Sequence, residues 1–319
     1  MGLLLFKRLA GLLLTLLLAS AVVFFLLEIL PGNAAQVMLG PDASPEAVRA
    51  LEQQLGLDQP APLRYAQWIG GLLRGEMGNS HAYGSPVATL IGQRLLLTVP
   101  LAVLAMFLAA LLALVAGVYA AARHRQTGDM VVMGLSQLGM AVPNFWFAIL
   151  LILIFSVHLR WFSAGGFPGW GQFALAFKSL LLPAVALAVV QAAILSRITR
   201  AAVLEVLQED FVRTARARGL GERAVLLRHV LRNALIPVLA LAGLQFANLL
   251  AGAIVVENVF FLPGLGRLMF QAIANRDLVV VRNGVMLLAA MVIAVQAMVD
   301  MLQVWVDPRL RHRNESATA

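Results

Sequence analysis

Six arginines, Arg213, Arg216, Arg218, Arg223, Arg228 and Arg232, crowd a segment that follows one apolar run, at residues 180–195, and leads into another, at 234–256. Each arginine would cost about 2.5–3.5 kcal/mol at the centre of a bilayer helix, so this segment has to lie in water. The flanking runs approach or exceed the ~20 residues that cross a bilayer. A short water-exposed element is therefore held between two membrane spans. Composition agrees, because 61% hydrophobic and 13% charged residues in a chain of 319 are too apolar for a soluble globule. The net charge of +8 comes largely from arginines flanking spans, with no aromatic-interleaved basic face of the kind that binds nucleic acid.

The pattern within the arginine segment predicts its shape. Val203, Leu207, Phe211 and Ala215 recur every fourth residue, while Glu205, Gln208, Glu209, Arg213 and Arg216 fall largely elsewhere, which is one apolar stripe on a helix. Glu209 and Arg213 are spaced to pair along it. Gly219-Leu-Gly221 ends that helix, and a second starts near Glu222, with Leu226, Leu227, Val230 and Leu231 against Arg223, Arg228 and Arg232. Two uses fit a helix, glycine turn and helix equally: an amphipathic hairpin on anionic lipid, or a loop that docks on a protein.

In chain order, Lys7-Arg8 precede an apolar run at 9–30 that ends at Pro31-Gly32. Ala19-Ser-Ala21 resembles a signal-peptide cleavage site, but the run continues through residues 22–27, which favours a retained span. Residues 31–94 mix Pro, Gly and charges of both signs and read as a folded helical segment outside the membrane. Spans at 95–122, 131–157, 180–195, 234–256 and 283–306 complete an all-α polytopic protein of six transmembrane helices. Gly134, Gly139 and Pro143 predict a kink in the third span, either lining a path or serving packing. Gln191, Gln245 and Asn248 lie inside spans, where they line a path or hydrogen-bond one helix to another. Glu28 is expected as a solvated cap and Asp300 as the partner of a nearby arginine. With the N-terminus inside, the cytoplasmic segments hold most of the 24 lysines and arginines, including Lys7, Arg8, Arg123, Arg125, Arg309, Arg311 and Arg313.

Chemistry within the chain is sparse. No cysteine is present, so disulfides and thiolate metal sites are excluded. A phosphate-binding loop needs Gly-Lys-Ser/Thr, and the one Lys-Ser pair, Lys178-Ser179, follows Phe177. His81, His124, His158, His229 and His312 are scattered, and neither a zinc-protease motif nor a serine-hydrolase elbow occurs. ATP, if it drives this protein, is hydrolysed elsewhere.

Asp210-Phe-Val-Arg-Thr-Ala-Arg-Ala-Arg-Gly219, followed by Arg228-His-x-Leu-Arg-Asn-Ala-Leu-Ile-Pro237, resembles the cytoplasmic loop of binding-protein-dependent ABC importer permeases of the dipeptide, oligopeptide and nickel group. The general family's Glu-Ala-Ala falls on Arg213-Thr214-Ala215, a departure that matches the peptide subgroup. Arg64-Tyr65, Trp68, Gly75-Glu-Met-Gly78, Ser80, Arg94 with Thr98, Trp161 and Phe162, Glu257-Asn-Val-Phe260, Pro263-Gly-Leu-Gly266, Arg276-Asp277 and Asp307-Pro-Arg-Leu-Arg311 resemble the same family's other motifs in order. The resemblance implies the type I importer transmembrane fold. Residues 1–94 would hold the first helix and extracytoplasmic segment, 95–308 the transport domain with its coupling loop at 197–237, and 309–319 a cytoplasmic tail.

It also implies roles. Glu209, Asp210, Arg213, Thr214, Ala215, Arg216, Gly219 and Leu220 would form the coupling helix that docks on an ATPase subunit, with Gly219 and Gly221 setting its angle. Pro143, Gln191, Gln245 and Asn248 are the candidates for the path. Implied partners are a second homologous permease, two ATP-binding subunits, an extracytoplasmic solute-binding protein and membrane lipid. No cofactor is expected in this chain, ATP and magnesium residing on the partners, and no catalytic residue. The expected place is the bacterial inner membrane, both termini cytoplasmic, and the expected solutes are dipeptides or short oligopeptides. Nickel or glutathione import are alternatives. A secondary transporter would carry buried acidic residues near the bilayer midplane, where none stands, and a membrane scaffold would move no solute.

Overall fold

The computed structural model describes residues 2–29, 34–40, 42–54 and 56–306. Pro31-Gly32, the ending Asp307-Pro-Arg-Leu-Arg311, His312 and Arg313 lie outside the described residues. The described chain is helical: α1 Gly2–Ile29, α2 Ala34–Leu39, α3 Pro45–Gln54, α4 Ala61–Leu73, α5 Val87–Ala122, α6 Thr127–Ala141, α7 Asn144–Leu151, α8 Phe173–Val206, α9 Asp210–Ala217, α10 Glu222–Ala224, α11 Leu231–Val259, α12 Leu265–Ala274 and α13 Leu278–Val306. Five continuous stretches are long and apolar enough to cross a membrane, and α6 with α7 forms a sixth if the bent pair counts as one span. Several helices outrun their apolar stretches. At 1.5 Å per residue the 36-residue α5 is about 54 Å long, well beyond a ~30 Å hydrocarbon core.

The third span is broken rather than kinked. α6 and α7 meet at 102° across Val142 and Pro143. Proline clashes with a helical predecessor, and Val142 takes an extended conformation at φ −86°, ψ 123°. Pro143, itself extended, becomes the cap of α7. Gly134 and Gly139 sit inside an unbroken α6 and cause no bend.

The chain divides into two compact units, with boundaries inside α5, between α11 and α12, and inside α13. In residues 99–262 and 294–319, α8 is the central helix, packed by α6, α7 and α11. Its buried face is built from Ala184, Ala188, Ala192, Ala193, Ser196, Thr199 and Ala202. Small residues of this kind let membrane helices approach closely, because lipid supplies no hydrophobic drive between them. A Cβ added at Gly117 of α5 would stand 2.6 Å from Thr199 Cβ and 2.7 Å from the Ser196 carbonyl oxygen. Ser136 and Ser196 share a buried hydrogen bond of 2.9 Å between α6 and α8.

Residues 1–98 and 263–293 form the other unit, and here the scattered motifs meet. Ser20 and Tyr65 share a hydrogen bond of 2.8 Å, and Phe24 stacks on Trp68 with ring centroids 5.9 Å apart, joining α1 to α4. Trp68 Nε1 donates to Asn283 Oδ1 (3.0 Å), and Asn283 Nδ2 donates to the Met77 carbonyl (2.9 Å). The buried carboxylate of Asp277 accepts from Ser80 Oγ (2.5 Å), Ala82 N–H (3.1 Å) and Val280 N–H (3.2 Å). Thr98 Oγ1 accepts from Leu265 N–H (2.8 Å), and Arg94 donates to the Pro263 carbonyl (3.3 Å). Glu28 is not simply solvated: it forms an ion pair with Arg64.

The α5–α8 approach gives a direct test. Gly117→Val must push the α8 backbone away and is expected to destabilise by about 1–3 kcal/mol, read as a lower thermal unfolding midpoint in detergent. Gly134→Ala, at a position with no neighbour within 4 Å, should leave the midpoint unchanged or raise it.

Candidate functional site

The hairpin at 207–230 departs from the predicted stripe. α8 ends at Val206, Leu207 and Gln208 turn, and α9 starts afresh at Asp210 with Glu209 as its extended cap. The new helix has a different phase. Val212 and Ala215 are buried, against Val203, Val225 and Val230 among others, while Phe211 is 42% exposed. Arg213 pairs with Asp210 (3.3 Å) rather than with Glu209, since Glu209 lies outside the helical spiral. Thr214 Oγ1 donates to the Asp210 carbonyl (3.0 Å).

The turn after α9 is a Schellman closure. Leu220 N–H donates to the Ala215 carbonyl (3.3 Å) and Gly219 N–H to the Arg216 carbonyl (2.9 Å). Gly219 sits at φ +81°, where other L-residues are strained. Gly221 does not share that role: at φ −65° it is an ordinary extended cap for α10. Arg216 spans the turn and donates bidentately to Glu222, Nε to Oε1 at 2.9 Å and Nη2 to Oε2 at 3.1 Å. A π-helical turn, Val225–Val230, then leads into α11. The outcome is a hairpin pinned inward by Val212, Ala215, Val225 and Val230. Outward it presents Glu209, Asp210, Phe211, Arg213, Thr214, Arg216, Gly219 and Leu220. Ala215 alone of the predicted docking residues faces the interior.

The sequence reading missed the brace at the hairpin's base. Arg200 near the end of α8 donates Nε to Asp129 Oδ1 (2.6 Å) and Nη2 to Asp129 Oδ2 (2.7 Å). Arg125 N–H adds a third bond to that carboxylate (3.0 Å), and His124 Nδ1 lies 3.0 Å from Arg200 Nη2. Asp129 is buried in the first turn of α6, so the brace ties α6 to the last turns before the hairpin.

The polar residues inside spans behave unevenly. Asn248 donates to Gln245 (2.9 Å), a bond within α11 rather than between helices. Gln191 is buried with Oε1 unpaired, as is Asn144 Oδ1 at the start of α7. Pro143 is exposed at the break. Asn144 lies where α7, α8 and α11 meet: a Cβ at Gly252 of α11 would stand 2.7 Å from Asn144 Nδ2 and 3.3 Å from Leu187 Cδ2. Asp300 accepts from Gln296 (3.3 Å), so its described partner is an amide and not the predicted arginine.

The described residues have the form of a polytopic helical membrane protein with five or six apolar spans and a charged hairpin between two of them. Residues 113–312 match the family described as binding-protein-dependent transport system inner membrane component, and residues 1–102 match the N-terminal family of such membrane components. A putative peptide transport system permease protein of Brucella suis is 40% identical over 310 residues, spanning 97% of this chain and 99% of that protein. A glutathione transport system permease protein of Salmonella choleraesuis is 38% identical over 307 residues, spanning 96% and 98%. The crystal structure of an amino acid ABC transporter with histidines shares the fold at TM-score 0.50 and 18% identity, over 67% of this chain and 93% of that one. The chain belongs to the binding-protein-dependent inner membrane component family and is an ABC importer permease.

Two outcomes follow from the geometry. Gly219→Val should strain the turn by about 1–2 kcal/mol and speed hydrogen exchange of residues 209–224 more than that of the spans, while Gly219→Asn has a smaller effect. Asp129→Ala leaves the half-buried Arg200 charge without its partner and should destabilise by roughly 1–3 kcal/mol. Adding Arg200→Met to that variant should restore part of the loss in a double-mutant cycle read by thermal unfolding.

Proposed function

We propose that this permease forms half of a translocation path for short peptides. In this reading a second homologous permease supplies the other half, an extracytoplasmic binding protein delivers the solute, and two partner subunits bind ATP and magnesium. The hairpin of α9 and α10 is the coupling element and lies on the cytoplasmic side with both termini. The observation that carries the reading is the hairpin's two-sidedness. A buried apolar face holds it to the membrane domain, while Phe211 and Leu220, 42% and 40% exposed, stand among charges on the outer face. Exposed apolar anchors ringed by charge suit docking in a groove of a protein partner. A lipid-lying hairpin would instead present a continuous apolar face, and the continuous face here is turned inward.

Peptide substrates are supported by two relatives whose names describe peptide and glutathione transport, glutathione being itself a small peptide. Residues 95–308 are then the transport domain, preceded by an outer segment and followed by a short tail. Around the α6–α7 break, the unpaired amide oxygens of Gln191 and Asn144 offer acceptors to the N–H groups of a peptide. Pro143, Gln245 and Asn248 are the remaining candidates for lining that path.

Replacing both Phe211 and Leu220 by Glu separates docking from folding. The double variant should insert and unfold like the parent, because surface substitutions fall within about 0.5 kcal/mol. Loss of docked anchors costs on the order of 2 kcal/mol each, so recovery of the ATPase subunits with the permease should fall tenfold or more, and uptake with it. Normal recovery and uptake would overturn the coupling role. Uptake of a labelled dipeptide, competed by unlabelled dipeptide, glutathione or nickel, checks the solute class, and competition by nickel alone would exclude peptides.

A further inference from the structure

We propose that a cavity at the end of α1 holds the phosphate of a membrane phospholipid. The cavity, of ≈ 350 Å³, lies within the unit of residues 1–98 and 263–293, between the last turn of α1, α4, the turn at 75–78 and the first turn of α13. Its charged lining is Glu28, Arg64, Glu76 and Arg282. Arg64 and Glu28 neutralise each other as an ion pair. Arg282 has no such partner. Its guanidinium lies over the Trp68 ring, 5.1 Å from the centroid, and its Nε is buried with no hydrogen-bond acceptor. Among the described residues no carboxylate stands within ion-pairing distance of it, and a desolvated cation without a counter-anion is costly.

The empty space beside that guanidinium is where an anion would repay this cost. Trp68 holds the plane of Arg282 in place and is itself held by Asn283, so the fork of N–H donors is pre-oriented, as bidentate phosphate recognition requires. The position of the cavity selects a lipid. Glu28 lies in the last turn of one span and Leu278 and Arg282 in the first turns of another, which is the level of headgroups. Glu76 at the same cavity suits the amine or hydroxyl beyond the phosphate of a lipid headgroup. The site is independent of which solute is imported.

The full-length chain, purified with the subunits that accompany it, is examined by native mass spectrometry and by thermal unfolding in detergent with added lipid. The parent should retain a phospholipid through detergent exchange and gain thermal stability from phosphatidylglycerol or phosphatidylethanolamine, but not from a phosphate-free glycosyl diacylglycerol. Arg282→Gln should lower retention tenfold or more, with Arg282→Lys between the two. Glu28→Gln frees Arg64 and should hold the lipid at least as well as the parent, whereas a site that needed the Glu28–Arg64 pair only for its structure would lose it. Equal retention by Arg282→Gln, or loss in Glu28→Gln, overturns the proposal, as does equal protection by the phosphate-free lipid. Protection by inorganic phosphate or glycerol 3-phosphate alone would assign a soluble anion instead. Protection by the binding protein in phosphate-free lipid would assign an acidic side chain of that partner.

Discussion

The inward packing of Val212 and Ala215 on Val203, Val225 and Val230 is the contact on which the hairpin depends. Without it the segment at 207–230 would be a charged loop free to follow any partner. A loop of that kind transmits no displacement. With the buried face in place, the turn closed at Gly219 and Arg216 bonded to Glu222, the hairpin is a solid extension of α8 and α11. The Asp129–Arg200 brace then joins its base to α6. In the proposed reading, a push on Phe211 and Leu220 reaches the spans because each joint along this route is packed or doubly bonded.

The membrane character, the number of spans and the glycine turn were legible because each rests on local signals. Apolar length, charge exclusion and a left-handed glycine all act within one stretch of chain. What was not legible is equally physical. The stripe through Phe211 assumed one continuous helix across 203–215, but the chain ends α8 at Val206, and two turn residues reset the phase. Asp129 and Arg200 stand 71 positions apart, and nothing periodic links them. Arg200 was counted only as one of many arginines, and a topology count cannot distinguish a solvated arginine from one that braces two helices. The break at Pro143 was foreseen as a kink, because proline's effect on its predecessor is known but the angle depends on what packs on either side.

The motifs gathered in residues 1–98 and 263–293 illustrate the converse. Trp68, Ser80, Arg94, Thr98, Pro263 and Asp277 could be noticed only by their order along the chain, each alone being an unremarkable anchor or turn residue. The structure supplies the reason they occur together: Asp277 accepts from Ser80, Trp68 reaches Asn283, and Thr98 caps the entry to α12. They are one hydrogen-bonded unit separated by up to 215 positions. That unit also explains how the half-buried Arg282 is held, since its aromatic support is fixed by the neighbouring Asn283.

The two kinds of polar group in this protein therefore serve opposite ends. Asp277 and Asp129 are buried with several donors each, and such satisfied groups hold a single arrangement firmly. Gln191 is buried and Asn144 half-buried, each with its amide oxygen unused, and Asn144 stands at a helix break whose terminal carbonyls have lost their helical donors. Unused acceptors in an apolar setting are unfavourable at rest, so they favour whichever state brings donors to them. A hydrated or peptide-occupied path supplies such donors and a closed apolar one does not. In the proposed reading the path runs past these acceptors, and α8 carries Gln191 and the root of the hairpin on one continuous helix.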